Sequence, residues 1–524
     1  MAALTLLLVL MAATVVLAPV AERVSIPYPV LLLVFGLMLA FVPGLPLPAV
    51  NPELLLPLVL PPLLFAAARR TSWREFLDNR RPIALLAVAL VVVTAFAVGM
   101  TLQALMPGLP LIAGLALGAA VAPPDPVAAT AVARKLGLPH RLRTILEGEG
   151  LSNDATALVL YEVAVAATLT GAFSPWRGAS ALGVAVVVGV GVGVIIAAIG
   201  RLLLKKLPAH PAGSALILLM PFAAYAAADA AHGSGVLAVV TVALALDRYG
   251  DADSSQTRLV AGTTWEIIEL LVTGAAFAFV GLELRAVADE ADGQLDTMIG
   301  QAAIVTAVVI VVRFLWIFPA ATIDEKIRRR RNNDLAEPVG WREMTVASWA
   351  GMRGVVTLVA ALALPQNFPE RDRLIFIAFV VISVTLLLQG LTLPWLVRRL
   401  GVSGSDEERH RAEQELIRRA RNAGFDRLDE LREREEADGD VIEQARENAD
   451  RMWHSLGYAP NGSDDGARRA SDRAGDAVTV NAVKDEMLAA ARDAVVRSRT
   501  QSGTDPTIAD RVLRRLDARG SQPE

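Results

Sequence analysis

Apolar runs of roughly 18 residues recur along the first four hundred positions of this chain, separated by short loops. A helix rises about 1.5 Å per residue, so a run of that length reaches across the roughly 30 Å of a bilayer's hydrocarbon layer. The runs lie near 2–19, 27–43, 52–68, 82–104, 109–133, 144–170, 178–204, 213–230, 234–247, 262–284, 298–320, 343–363 and 374–397. One soluble core has no use for so many, and the pattern predicts an all-α polytopic membrane protein with about 13 transmembrane helices, the shorter ones tilted or re-entrant. No Lys or Arg precedes the run at Ala2 to Leu17, so it reads as a first transmembrane helix and not as a secretory signal.

Charge gives an independent check on the count. Basic residues gather in every second loop, as in Arg69, Arg70, Arg74, Arg80 and Arg81, or Lys326, Arg328, Arg329, Arg330, Arg331 and Arg342. The intervening loops hold only Arg177, Arg285, Arg371 and Arg373. By the positive-inside rule the N-terminus is expected outside the cell membrane and the C-terminus in the cytoplasm. The formal net charge of −4 hides a sharp division, because nearly every third residue is charged from Asp406 onward. Two regions follow: a membrane domain over 1–400 and a charged cytoplasmic tail over 401–524. Within the tail, amphipathic helices are expected over 406–456, 478–499 and 508–516, with a flexible Gly, Asp and Ser-rich linker near 459–477. There is no cysteine, and the five histidines show no metal-ligand spacing, so thiolate chemistry and a Cys or His metal site are excluded. Neither a cofactor nor a nucleic-acid partner is expected.

Polar residues inside the spans carry the functional signal. The stretch Glu147 to Glu162 places Glu149, Ser152, Asn153 and Asp154 in an otherwise apolar segment. An ionised side chain at bilayer depth costs at least about 2.5–3.5 kcal/mol, so it is kept only where it faces a bundle interior or wet cavity. The preceding span is interrupted by Pro123, Pro124, Asp125 and Pro126, which removes backbone donors and forces extended conformation in mid-membrane. A second interruption lies at Gly351, Met352, Arg353 and Gly354. Paired broken helices, one in each half, point to a midplane ion site in transporters built from inverted repeats. Here one break carries an anion and the other a cation. Glu162, Asp229, Glu266 and Glu269 have no assigned role, while Gly183, Gly189, Gly191 and Gly193 read as a close-packing or sliding surface.

These motifs bear a resemblance. LEGEGLSNDATALVLYE at Leu146 to Glu162, APPDPVAA at Ala122 to Ala129, PPLLFAAARRTSWREF at Pro61 to Phe76, FAFVGLELR at Phe277 to Arg285 and GMRGVVTLVAALALP at Gly351 to Pro365 resemble the bacterial Na+/H+ exchangers of the first monovalent cation:proton antiporter family. The likeness covers roughly residues 1–400 and says nothing of the tail. It implies thirteen helices, a homodimer whose core domain moves against a dimer domain, and exchange centred on Asn153 and Asp154. By the same resemblance Asp154 is the cation ligand and proton carrier, Asn153 its neutral neighbour, Asp125 a second ligand or support, and Glu149 the ion-pair partner of Arg353. Three positions depart from the family pattern. Pro124 replaces a Thr but keeps its carbonyl; Gly150 stands where a Ser often offers a hydroxyl, leaving Ser152 or water to fill the shell; and Ala66 replaces an acid.

The chemistry can be stated without the family. A carboxyl in a low-dielectric cavity holds a proton readily, while a cation beside it favours the charged form, so one site serves two competing ligands. If the empty, charged site is too costly to carry across the barrier, exchange is obligatory. With Asn rather than Asp beside Asp154, the loaded site bears one compensating charge in either state, and one-for-one, voltage-independent exchange is expected. Hard oxygen ligands suit Na+ or Li+ and leave K+ open. Which of Asp125 and Asp154 carries the proton is also open, since interacting acids titrate as a pair. An ion channel or an intramembrane aspartyl protease using those two acids would belong to another class, but no GxGD surrounds either Asp. A primary pump would need a phosphate loop of the GxxxxGK[ST] kind, which is absent.

Overall fold

A computed structural model of the chain describes residues 2–24, 26–42, 52–69, 79–125, 138–171, 175–206, 211–248, 255–289, 295–330, 340–402, 406–434, 438–455, 477–499 and 506–520. It divides into two units, one formed by Met1–Thr71, Phe76–Tyr249 and Ala261–Ser403, the other built on Gly404–Glu524.

Every regular element among the described residues is helical. In the first unit these are α1 (Ala2–Val24), α2 (Tyr28–Leu39), α3 (Pro52–Ala68), α4 (Arg80–Leu105), α5 (Leu111–Val121), α6 (His140–Thr170) and α7 (Pro175–Lys206). They continue with α8 (Pro211–Ala230), α9 (Gly235–Arg248), α10 (Ser255–Asp289), α11 (Leu295–Arg330), α12 (Trp341–Trp349), α13 (Val355–Leu362) and α14 (Arg371–Leu400). The apolar runs read from the sequence fall on these helices, except that α5 covers only the first part of the run at 109–133, whose end lies outside the described residues; the run at 343–363 is split into α12 and α13. Seven of the described helices are long and apolar enough to cross a membrane, and four shorter apolar ones accompany them.

Close approaches decide how α6 is seated. Any side chain at Gly148 would collide with Ile83 of α4, so these helices meet nearly backbone to side chain. Just beyond Ile83, Leu85–Leu90 of α4 is wound as a π-helix, which loosens the regular hydrogen-bond ladder. The Leu85 carbonyl accepts a bond from the Trp316 indole of α11 at 3.1 Å. α6 ends at Gly171, whose φ of 69° is the left-handed conformation that glycine adopts without strain. On α7, Gly189 and Gly193 seat Ser234, Ala238 and Thr241 of the same chain, whereas no other helix among the described residues comes within 4 Å of where a Cβ of Gly183 or Gly191 would stand. Half of the glycine stripe is thus used for packing within the chain.

The second unit contains α15 (Asp406–Glu433), α16 (Gly439–Ser455), α17 (Ala477–Arg499) and α18 (Pro506–Gly520). Their apolar faces enclose a core of their own around Leu428, Trp453, Met487, Val495 and Leu516. Trp453 is fully buried, and the Phe425 ring is covered by Arg421 at 4.5 Å and Arg446 at 5.3 Å. The linker expected near 459–477 lies outside the described residues but for its last position.

Candidate functional site

Proline supplies no amide hydrogen, so Pro123 and Pro124 stop α5 at Val121 and leave the chain non-helical up to Asp125 inside the bundle. The amide of Asp125 then has no helical acceptor. It donates instead to the Met352 carbonyl at 2.7 Å, and Met352 lies in the second break, Ala350–Gly354, between α12 and α13. The two interruptions therefore meet and satisfy each other's backbone, the condition under which non-helical chain is tolerated at such depth. From α6, the Asn153 side-chain amide donates to the Pro124 carbonyl at 3.2 Å and ties the central helix to this crossing.

Asp154, one residue on, faces a cavity of about 40 Å³ that Asp125 also lines. The space exceeds the ~10–15 Å³ that one water needs. Asp125 is 9% exposed and Asp154 4%, so neither is a surface carboxylate. Leu60, Leu63 and Leu64 of α3 form an apolar wall, while Gly354 and Val355 bring the N-terminal end of α13 to the cavity. The positive end of that helix dipole favours an anion beside it. Two further hydroxyls, Thr273 on α10 and Thr357 on α13, line the same space. Ser152 is not among the lining residues: two positions along an α-helix is a turn of about 200°, which puts it on the side of α6 away from Asp154.

Gly354 is required by contact. A side chain there would run into the Asp125 carboxylate. Gly354→Ala is expected to displace Asp125, and an error of ~1 Å in a functional group commonly costs on the order of a hundredfold in rate. Cation-dependent proton flux in proteoliposomes measures this; retention of half the wild-type rate would show that the close approach is not needed.

The expected pairing of Glu149 with Arg353 is corrected by the structure. Glu149 is bound by Arg313 of α11, whose two terminal nitrogens reach its two oxygens, Nη2 to Oε2 at 2.9 Å. The same guanidinium donates from Nε and Nη2 to the Ala347 carbonyl, at 3.2 and 3.1 Å, in the last turn of α12. A planar fork can bind a carboxylate at two points and a helix end at once, and with both groups nearly fully buried this is the geometry that offsets desolvation. Arg353 lies in the extended break, where its backbone amide donates to Thr385 at 3.1 Å. Its Nε and Nη1 have no hydrogen-bond partner among the described residues. Arg313 was legible as a lone arginine in a long apolar run, a signal outweighed by the more conspicuous Gly-Met-Arg-Gly. Of the unassigned acids, Glu162, Asp229 and Glu266 are exposed and Glu269 is buried.

Comparison with known proteins places the chain in a family. Residues 9–399 match the model of the family described as sodium/hydrogen exchanger, transmembrane. An uncharacterized Na+/H+ exchanger of Mycobacterium tuberculosis is 35% identical over 445 residues, covering 81% of this chain and 79% of its own. The Na+/H+ antiporter ApNhaP of Aphanothece halophytica is 33% identical over 77% of this chain and 75% of its own. A sodium, potassium, lithium and rubidium/H+ antiporter of Bacillus pumilus is 34% identical over 71% of this chain and 58% of its own. Among solved structures, the sodium proton antiporter MjNhaP1 of Methanocaldococcus jannaschii has the same fold, with a TM-score of 0.59 at 17% identity, over 76% of this chain and 99% of that one.

Proposed function

Since the chain belongs to the sodium/hydrogen exchanger family, we propose that it is a secondary antiporter exchanging a monovalent cation for H+ at the cavity shared by Asp125 and Asp154. The observation that carries this reading is the meeting of two helix breaks, at Pro123–Asp125 and Ala350–Gly354, beside a space that two buried carboxylates line. Asp154 binds either the proton or the cation, Asp125 lies beside it, and Asn153 fixes the first break through the Pro124 carbonyl. Neither ligand needs ATP to drive the other, because the empty charged site is the costly state to move. Na+ is the expected substrate, with Li+ and K+ open; the names of the relatives range from sodium alone to four alkali cations.

Residues 1–400 would carry transport and 401–524 form a cytoplasmic tail. Loop charges support an external N-terminus in the plasma membrane, and the family likeness supports a homodimer.

The test is proton flux in proteoliposomes that contain a pH-sensitive dye, under pulses of Na+, Li+ and K+. At least one ion is expected to drive alkalinisation of an acid lumen, at a rate unchanged by an imposed potential. A cycle moving one net charge would feel about 2.3 kcal/mol per 100 mV. A sustained current on a solid-supported membrane would overturn one-for-one exchange, and silence with all three ions would overturn antiport itself.

A further inference from the structure

Buried hydroxyls within these helices commonly return their hydrogen to the carbonyl four residues earlier. Thr14, Thr306 and Thr385 do so, at 2.8, 2.7 and 2.7 Å. Thr273 and Thr357 do not. They are 0% and 1% exposed, and neither Oγ1 has a hydrogen-bond partner among the described residues. Thr357 is the third residue of α13, so the carbonyl four positions back belongs to Arg353 in the extended break and not to a helix. Thr273 lies well inside α10, where a regular helical carbonyl is available and unused. Both side chains come from different helices to the cavity that Asp125 and Asp154 line.

We propose that Thr273 and Thr357 are ligands of the transported cation, and that they set its affinity without taking part in carrying the proton. The inference rests on the antiport reading of the same cavity. A carboxylate accepts a proton and an alkali cation at the same oxygens, and so cannot by itself favour one over the other. A hydroxyl oxygen is a neutral hard donor that coordinates an alkali cation and does not take up a proton in the physiological range. In the cation-loaded state both hydroxyl oxygens turn their lone pairs to the ion. In the proton-loaded state the same groups are free to donate to the carboxyl oxygens. Two carboxylates define where the exchange occurs; two hydroxyls tilt it toward the metal ion. Apolar α3 adds no competing ligand on its side.

The test compares Thr273→Val, Thr357→Val, the double variant and the Thr→Ser forms with wild type in proteoliposomes, across Na+, Li+ and K+ concentrations. Each Val variant, nearly isosteric but without the hydroxyl, should raise the apparent KM for the cation roughly five- to tenfold, the scale of one lost oxygen contact. Maximal flux at saturating cation should stay within about twofold, and Ser should restore affinity. Thr306→Val, whose hydroxyl is already satisfied within α11, should leave KM unchanged. A second readout is the rise in thermal midpoint of the detergent-solubilised protein on adding each chloride salt, which the Val variants should blunt. Should a Val variant not assemble, the Ala variant removes the same hydroxyl and takes its place. Exchange by wild type with unaltered KM and thermal response in both variants overturns the threonine assignment alone. Loss of maximal flux with an unaltered cation-induced thermal shift also overturns it, as a structural effect. An inactive wild type removes the antiport reading, and this inference with it.

Discussion

Asp154→Asn is expected to abolish cation-driven proton flux, to below about one hundredth of wild type, in a protein that still folds and assembles. The amide is nearly the size of the carboxyl but holds neither an exchangeable proton nor the charge that pairs with a cation, so both half-reactions are lost together. Asp154 is 4% exposed and faces a cavity whose other carboxylate is Asp125. The companion variant Asp125→Asn separates roles. If Asp125 is a supporting ligand, its loss weakens cation affinity and leaves residual exchange; if it shares the proton, exchange is lost as well. Competition for one site adds a further mark: the apparent KM of wild type for the cation rises as pH falls, with maximal flux little changed. An Asp154→Asn protein that still exchanges would move the site elsewhere.

The second large effect is on stability. Removing one partner of a buried ion pair leaves an uncompensated charge, at a cost of about 3–5 kcal/mol. Arg313→Leu and Glu149→Gln are each expected to lower the thermal midpoint of the solubilised protein sharply. Arg313→Leu is the worse of the two, because it also strips the Ala347 carbonyl of its donors. Replacing both, as in Glu149→Leu with Arg313→Met, should recover much of the loss, since an apolar pair of similar volume carries no desolvation cost. Arg353→Leu is the discriminating control. Were Arg353 the true partner of Glu149, its loss would cost as much as that of Arg313. The geometry predicts a smaller effect, as Glu149 keeps its two-point bond. Equal midpoints for the Arg313 and Arg353 variants would contradict the observed pairing.

Much of this protein is written in local pattern. Apolar runs mark where helices lie, because in a bilayer the backbone must satisfy itself within each segment and only length and hydropathy are needed to choose one. Pro123 to Pro126 and the glycines around Arg353 mark where helices stop, because loss of an amide hydrogen or of a Cβ acts on the residue itself. The same applies to Asn153 and Asp154, whose placement in an apolar run needs a reason wherever the helix goes.

What tertiary structure alone decided is lateral. Two arginines lie within apolar runs, Arg313 in an unbroken one and Arg353 between glycines, and neither local pattern says which of them reaches Glu149. The choice fell to Arg313 because α11 brings its fork level with both Glu149 and the open carbonyl of Ala347. Likewise Ser152 stands two residues from Asp154 but about 200° round the helix, and it does not line the cavity that Asp154 faces. Thr273 and Thr357 show the converse. Separated by more than eighty positions and unremarkable in their runs, they share a cavity with Asp154 only because α10 and α13 both border it. Hydropathy and period are properties of a segment and survive in the one-dimensional string. Which side chains share a cavity is set by how helices distant in sequence pack side by side, and that exists only once they have packed.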